Sequence, residues 1–424
     1  MGAGIAGLAA AERLAAAGCK VLILEGRDRV GGRVHTVHSP ALQHPIELGA
    51  EFVHGRPPEL RALIGTAGLA LDRVPEWHEQ EQGGMERPLP DIREQVQGLL
   101  GPEPEEEPDR PVAELLRQRA VELSDDVKTA VEYIESFHAA ALDKIGSHAL
   151  AEAEAAEAED GEQSFRVREG YSRLADWLRA RLPTQLVELR LETTITEIAW
   201  RPGRVRVSAR DWAGRPSEIT GSKAIITLPL GVLKATQGTR GAVRIDPEPP
   251  GWQGAFGALH MGAAQRIVLH FDEIWWARPD DSLPGFVHGG EEAFPVWWTS
   301  LPKELPILTG WTGGPRAAVL AGLTPGELLS RAVKSAAAIF GQRPKLVRDR
   351  LVQSYAHDWV SDPLALGAYS YGGVGARPAR RLLATPISDT LFLAGEATAE
   401  KGRNATVHGA LASGRRAAAQ VLGH

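Results

Sequence analysis

The 424-residue chain holds one cysteine, Cys19. A lone thiol cannot close an intrachain disulfide, and zinc or iron–sulfur sites built on several thiolates are excluded. Basic charge is not in surplus. Lys and Arg number 47 against 54 Asp and Glu, a formal charge of −7, so nucleic-acid binding through overall basicity is not expected. No apolar run approaches the roughly 18 residues of a membrane helix. The longest, around Ala224–Leu233, is interrupted by Pro229. The apolar start, Met1–Ala17, has no basic flank and carries Glu12 and Arg13, which is unlike a secretory signal. The expectation is a cytoplasmic protein with no membrane and no nucleic-acid partner. What is present, 43% hydrophobic and 24% charged residues, is an ordinary globular balance, and the length suits two or three domains.

Charge is unevenly placed. Residues 101–162 contain 18 acidic and 5 basic side chains, a net of −13, so the remainder carries +6. Proline and like charge make Pro102–Arg110 an extended or loop stretch. A helix start is expected at Ser124-Asp-Asp, followed by Val127, Ala130, Val131, Ile134 and Phe137 at helical spacing. His148–Glu162 reads as an Ala/Glu-rich solvated helix. The acidity has two readings, a soluble helical face or a negative lobe that draws cationic substrates.

The N-terminus carries Gly2, Gly4 and Gly7 as GxGxxG, then an Ala-rich helix, Leu8–Ala17, ended by Gly18. The strand Val21–Leu24 follows and Glu25 closes it. The first glycine permits a tight turn, the second lets the backbone approach a pyrophosphate, and the third lets helix and sheet pack closely. Ile5 and Ala6, inside the motif, are candidate cofactor contacts, and the N–H groups and positive dipole end of the helix that follows suit phosphates. Glu25 lies near the position of a ribose-binding acid. Only Met1 precedes Gly2, where a buried first strand belongs; the expectation is a first strand truncated here, with the native chain beginning upstream of Met1.

Glu25-Gly-Arg-Asp-Arg-Val-Gly-Gly-Arg33 extends the first motif. It resembles the run in flavoproteins of the monoamine oxidase type, where Gly31, Gly32 and Arg33 would hold the FAD diphosphate beside Glu25, Gly26 and Arg27. Other segments follow in the order of that family. Glu47–Gly55 resembles the stretch that passes under the flavin ring, with Leu48, Gly49, Ala50, Glu51 and Phe52 against the cofactor. Phe165–Leu182 resembles the turn and helix leading back to the FAD domain. In the strand Leu191–Ile198, Ile195 would meet the adenine. Ala224–Lys234 is similar to a stretch of polyamine oxidases and lysine-specific histone demethylases, and Pro229 would mark the exit from the FAD domain. Asp358–Tyr371, with Trp359, leads into Leu391–Thr398 and Ala405–Gly414, which resemble the carboxy-terminal flavin signature. There Gly395 and Glu396 would serve the ribityl chain. The helix starting near Thr406, with Val407 and Ala410, would aim its positive end at the flavin N1–C2=O edge.

The chain is thereby identified as a member of the flavin-containing amine oxidase family, closest to its polyamine oxidase and histone-demethylase branch. The resemblance implies an α/β fold: a discontinuous FAD-binding Rossmann-like domain (1–56, 163–230 and 386–424) and a mixed α+β substrate-binding domain (57–162, helical, and 231–385, sheet plus helices). FAD is expected without a covalent bond. In monoamine oxidases a cysteine precedes the active-site tyrosine, and the matching pair here is Ala368-Tyr369. Tyr369 would be one aromatic ring beside the amine. Thr406 would fill the second aromatic position, which leaves a single ring and a roomier site. The usual lysine facing flavin N5 is matched by Arg266, and no lysine occurs between Lys234 and Lys303. Arg266 could hold the water that lysine holds, bind a substrate carboxylate, or leave a poor oxidase; the bland alternative is a buried arginine paired with an acid. His54 matches a histidine near the flavin in polyamine oxidases, or is a surface loop residue. His408 is expected to be structural. Trp297, Trp298 and Trp311 are core or pocket residues. His35 and His38 lack companions at metal-ligand spacing, so no metal site is expected.

The implied activity is hydride transfer from the α-carbon of an amine, of polyamine type, to flavin N5, giving an imine and, with O2, hydrogen peroxide. A flavin-dependent L-amino acid oxidase, a desaturase-like enzyme and a non-catalytic scaffold remain open alternatives.

Overall fold

In this computed structural model, residues 1–424 are described except 41, 76–77, 83–84, 89–91, 102–104, 119–124, 162, 290–291 and 424. Ser124 and residues 102–104 of the acidic loop therefore lie outside the described residues. The fold is α/β, and both ends of the chain meet in it.

The helix Ile5–Ala16 starts on the extended residue Gly4 and stops before Gly18, whose φ of +80° suits glycine. Its alanines let the helix Val407–Leu422 come close. A Cβ on Gly414 would lie 2.2 Å from the Ala6 carbonyl oxygen, so only a glycine fits that crossing. Under these helices, Val21–Leu24 pairs in parallel with Val187–Arg190, and Ala224–Ile226 in parallel with Leu391–Leu393. Met1–Ala3 joins the two pairs. The Gly2 N–H donates to the Leu24 carbonyl at 2.7 Å, the Met1 amine to Ile225 at 2.9 Å, and the Thr227 N–H to Met1 at 2.9 Å. The position of the expected truncated strand thus holds these three residues, and they carry the turn into the first helix.

A second sheet orders Pro216–Gly221, Arg204–Asp211, Thr193–Arg201 and Arg244–Asp246. The remaining architecture centres on a seven-stranded sheet in the order Leu351–Ala356, Ala264–Phe271, Ile307–Gly313, Val296–Thr299, Phe286–His288, His78–Gln82 and Met85–Pro88. Every residue of Ala264–Phe271 is buried, so the strand is covered on both faces. Ile267, Leu269 and Phe271 face the helix Pro325–Ile339, started by a Thr324/Glu327 capping box. Val268 packs instead with Ile46 and Leu48, and Arg266 is two residues from it on the same side.

The segment 57–162 is not purely helical, which corrects the sequence expectation. It supplies the helices Ile92–Leu100, Val112–Gln118, Asp125–Phe137 and Ser147–Asp160, but also the strands Leu71–Arg73, His78–Gln82 and Met85–Pro88. His78–Gln82 pairs in parallel with Phe286–His288, about 200 residues away in sequence. Such non-local pairing leaves little local signal. Among the described residues, no helix is long and apolar enough to cross a membrane.

Candidate active site

A continuous cavity of about 1370 Å³ runs from the first glycine motif to the seven-stranded sheet. Ordinary small-molecule sites occupy roughly 300–1,000 Å³. There is room here for a dinucleotide and a second molecule.

One end is built from backbone. Gly4 is in parallel bridge pairing with Gly31, and the Gly31 N–H donates to the Ala3 carbonyl at 2.9 Å, so the two glycine motifs form one wall. A Cβ at Gly4 would meet nothing nearer than the Gly31 oxygen at 3.9 Å, and one at Gly395 nothing within 4 Å; both glycines open onto the cavity. Gly7 differs. A Cβ there would lie 2.0 Å from the Gly2 oxygen, so Gly7 serves packing and does not line the cavity. No acid sits in the first turn of the helix to compete for its N–H groups. Glu25 is buried, and its oxygens accept from the Ala3 and Arg27 N–H groups at 2.7 and 2.9 Å. Each oxygen keeps a lone pair for a hydroxyl. Arg27 pairs with Asp362 at 2.8 Å and lies over Trp359. Trp359 donates to the Leu48 carbonyl at 2.7 Å. Cys19 packs beside Leu14 and Val21, away from the cavity.

Glu396 ties this end to the carboxy terminus. It accepts from Arg33 Nη1 (2.9 Å), Ser370 Oγ (2.6 Å), the Ser370 N–H (3.3 Å) and the Ala405 N–H (2.8 Å). Burial alone would raise its pKa, but the Arg33 charge and these hydrogen bonds hold it below the usual carboxylate range. With four donors in place, a ribityl hydroxyl would have to share or displace one of them. Thr406 Oγ1 caps the last helix, accepting from the Gly409 N–H at 2.9 Å and donating to the Arg403 carbonyl at 2.7 Å. Its side chain is spent on the cap, and it leaves Val407 and Ala410 lining the cavity.

Arg266 is buried in the wall farther along. Its Nη1 donates to the Glu47 and Gly49 carbonyls at 3.1 and 2.8 Å, and its Nη2 lies 3.2 Å from Glu51 Oε2. The guanidinium carbon sits 5.5 Å from the ring centroids of both Trp298 and Trp311. The arginine is thus paired with an acid, as in the bland alternative, yet it still lines the cavity. Glu51 is held from the other side by Arg166 Nε at 2.6 Å and Trp298 Nε1 at 3.3 Å. Burial pushes its pKa up, but the two arginines outweigh burial and keep it ionised. Glycine at 49 is required, since a Cβ would lie 1.9 Å from the Arg33 oxygen.

Tyr369 is not a solitary ring, which corrects the expectation drawn from Thr406. Trp311 lies parallel to it, centroids 6.5 Å apart and planes 7° from parallel. The Tyr369 hydroxyl donates to the Phe137 carbonyl at 2.8 Å. The wall continues through Trp298, Phe286 and His78, and both His54 and Phe52 join it. His54 is within 3.4 Å of Ser164 Oγ, and its ring meets Phe52 and Phe137. Trp297 is fully buried core, so the Trp297-Trp298 doublet divides between the two faces of its strand. His408, expected to be structural, also lines the cavity, with Nε2 3.5 Å from Asp160. From the acidic segment, Glu132, Glu135 and Glu157 reach the lining. Thus Gly2, Gly4, Ile5, Ala6, Glu25, Gly26, Arg27, Gly31, Gly32, Arg33, Leu48–Phe52, Ile195, Pro229 and Trp359 share one cavity with Gly395, Glu396 and the last helix. Sequence reasoning missed Phe286, His78 and His288; it had Phe137 only as a helix residue and the acids only as a charged segment. Among the described residues, no group of three metal-binding side chains occurs.

Burial lowers the pKa of His35, His44, His78, His260 and His408 to about 4 and of His288 to about 3. These values lie below the ordinary 6.5. The stability they contribute is complete above pH 6.5 and is lost as pH falls through 4. Glu47, raised by burial to about 8, acts with opposite sign: the stability it contributes is lost as pH rises through 8. The expected outcome is a thermal midpoint highest near neutrality that drops steeply toward about pH 4. Melts across that range check it, and a midpoint flat below pH 6.5 contradicts it.

A family model described as flavin containing amine oxidoreductase matches residues 5–422. Polyamine oxidase 4 of Oryza sativa subsp. japonica is 30% identical over 461 residues, across 99% of this chain and 87% of that protein. Lysine-specific histone demethylase 1 homolog 2 of Arabidopsis thaliana is 28% identical, across 100% of this chain and 58% of its own. The solved structure of wild-type putrescine oxidase bound to putrescine is 20% identical with a TM-score of 0.77, covering 100% of this chain and 98% of that one; this likeness concerns the fold.

Proposed function

The chain belongs to the flavin containing amine oxidoreductase family, and from that premise we propose an FAD-dependent oxidase that takes polyamine-type amines, with O2 as electron acceptor. The observation that carries this reading is the single cavity, with helix N-termini and glycines at one end and an aromatic, acid-bearing wall at the other. FAD is held non-covalently in this reading, because Ala368 stands where a cysteine would bond it and Cys19 lies elsewhere. When bound, FAD supplies the two-electron acceptor at N5 for hydride from the amine α-carbon, and O2 turns the electrons into hydrogen peroxide while the imine hydrolyses.

The chain's own residues bind and orient. The N–H groups at Gly4–Ala6 would face the diphosphate, Arg33 would add charge, and Glu25 would accept the ribose hydroxyls. Tyr369 and Trp311 flank the reacting amine. The apolar wall disfavours an ammonium and so lowers the substrate's pKa toward the neutral amine that the reaction needs. Arg266 has no place as a base, because a guanidinium does not deprotonate in proteins. Its Nη1 is taken by the Glu47 and Gly49 carbonyls and its Nη2 by Glu51, so neither terminal nitrogen is turned to a substrate carboxylate, which favours amines over amino acids. Glu132, Glu135 and Glu157 attract cationic substrate toward the mouth. We further propose the division into an FAD domain (1–56, 163–230, 386–424) and a substrate domain (57–162, 231–385), and a cytoplasmic location.

The test is anaerobic mixing of FAD-reconstituted protein with diamines, polyamines, n-alkylamines and amino acids. Polyamines should bleach the flavin fastest, and admission of air should release peroxide. A yellow protein that no amine bleaches overturns the reading, and a colourless one points to a scaffold.

A further inference from the structure

His78 and His288 come from strands about 200 residues apart in sequence and meet at the cavity wall. His78 Nδ1 lies 3.0 Å from His288 Nε2. His78 stacks on Phe286, centroids 4.6 Å apart and planes 3° from parallel. Phe286 in turn touches Trp298, Trp298 touches Trp311, and Trp311 parallels Tyr369. An unbroken aromatic surface therefore leads from Tyr369 to the histidine pair. Beside the pair, Glu79 and Arg278 form an ion pair that cancels their charges locally. Neither outer nitrogen, His78 Nε2 nor His288 Nδ1, has another partner among the described residues.

Counting protons fixes what this pair can offer. Two neutral imidazoles carry two N–H groups, and one of these bridges the rings. If His78 Nδ1 carries the bridging proton, His78 Nε2 is bare and His288 Nδ1 bears the other. If His288 Nε2 carries it, His288 Nδ1 is bare and His78 Nε2 bears the other. In both states the two outer nitrogens comprise one donor and one acceptor, on residues that line the cavity. Burial holds both rings neutral near pH 7. An ammonium or a carboxylate would bring a charge to a pair that has none to set against it, whereas an uncharged donor-and-acceptor group is served at either nitrogen by the choice of tautomer.

We infer that His78 and His288 form a remote subsite that binds an uncharged, donor-and-acceptor group at the far end of the substrate: a hydroxyl, a primary amide, or an amine without its extra proton. This inference rests on the amine-oxidase reading and deepens it.

The test compares α,ω-amino alcohols of graded length with n-alkylamines of equal length and with diamines, using stopped-flow flavin bleaching by the FAD-loaded protein. In the wild type the best amino alcohol should saturate at roughly tenfold lower concentration than its alkylamine. The alcohol-to-alkyl ratio should fall to near one in His288→Phe and in His78→Phe, made in parallel. As pH rises toward the amine pKa range, a diamine should gain affinity more steeply than the amino alcohol, because two ammoniums and not one must give up a proton. Independently of turnover and of any variant's folding, 15N spectra of histidine-labelled wild type near neutral pH should show both rings singly protonated. If n-alkylamines bleach the flavin but the hydroxyl gains nothing, or if its gain survives in both variants, the subsite is overturned alone. A doubly protonated ring overturns it too. If no amine bleaches the flavin, the oxidase reading falls and the subsite with it.

Discussion

Replacing Glu51 by leucine is expected to cost about 3–5 kcal/mol of folding stability, the penalty for leaving buried charge without its partner. Glu51 is 9% exposed and is the carboxylate within ion-pairing distance of both Arg166 and Arg266. Arg166 would keep its bonds to the Thr299 and Leu301 carbonyls, and Arg266 its bonds to Glu47 and Gly49. Neither carbonyl set balances a charge. Two guanidiniums would then face each other across a leucine, between the faces of Phe52, Trp298 and Trp311. The second half of the prediction separates lost pairing from poor packing. Arg266→Met in the Glu51→Leu background should recover a substantial part of the loss, because an apolar replacement of a whole pair is often neutral. Urea unfolding of the single and double variants measures both. A Glu51→Leu protein as stable as the parent, or a double variant no better than the single, defeats the account. The same change should loosen Glu47–Phe52, whose backbone Arg266 grips from the adjoining sheet, and so weaken flavin retention.

Glu51 also marks the boundary of what a sequence discloses. It stood out only as part of Glu47–Gly55, a stretch that resembles the family's flavin-facing segment. Its pairing with Arg166 and Arg266 could not be read, because the three are brought together across 115 and 215 residues by sheet register. The glycine motifs, Glu25 and the last helix were legible because their work is local: turns, close approaches and helix starts leave residue types at fixed spacing. The aromatic wall was only half legible. Trp297-Trp298 on a strand must place one ring on each side, but which side is cavity depends on what packs there. The histidine pair left no trace, because neither strand signals its partner. Thr406 misled in a simpler way. The absence of a second ring in that sequence position said nothing of Trp311, which supplies a parallel ring from a strand of the large sheet. The acids of residues 101–162 were visible as composition, whereas the helices that bring Glu132, Glu135 and Glu157 to the lining were needed to choose between the two readings of that charge.

Gly4→Val should yield a protein that folds as the parent does and fails to hold FAD. Gly4 has extended backbone, φ −69° and ψ 177°, which a β-branched residue adopts readily. Its missing side chain points into open cavity, with the nearest atom 3.9 Å from where a Cβ would sit. The apo protein therefore loses little, within about 0.5 kcal/mol as for an unobstructed substitution. The added methyls occupy the space a diphosphate needs in order to reach the N–H groups of Ile5 and Ala6. Flavin affinity should drop at least about a hundredfold, equivalent to about 2.7 kcal/mol. Gly7→Ala, three residues on, should do the reverse. Its Cβ would lie 2.0 Å from the Gly2 carbonyl oxygen, so the helix must shift from the Met1–Ala3 segment that joins the two strand pairs. That shift should cost about 1–3 kcal/mol, the usual penalty of overpacking, before any cofactor is added. Apo-protein melting and FAD titration of the two variants give four numbers. The account requires that they cross: affinity lost with stability kept at Gly4, stability lost first at Gly7. Equal losses of both at both positions would mean that the motif only packs a helix onto a sheet, and the cavity beside it would need another tenant.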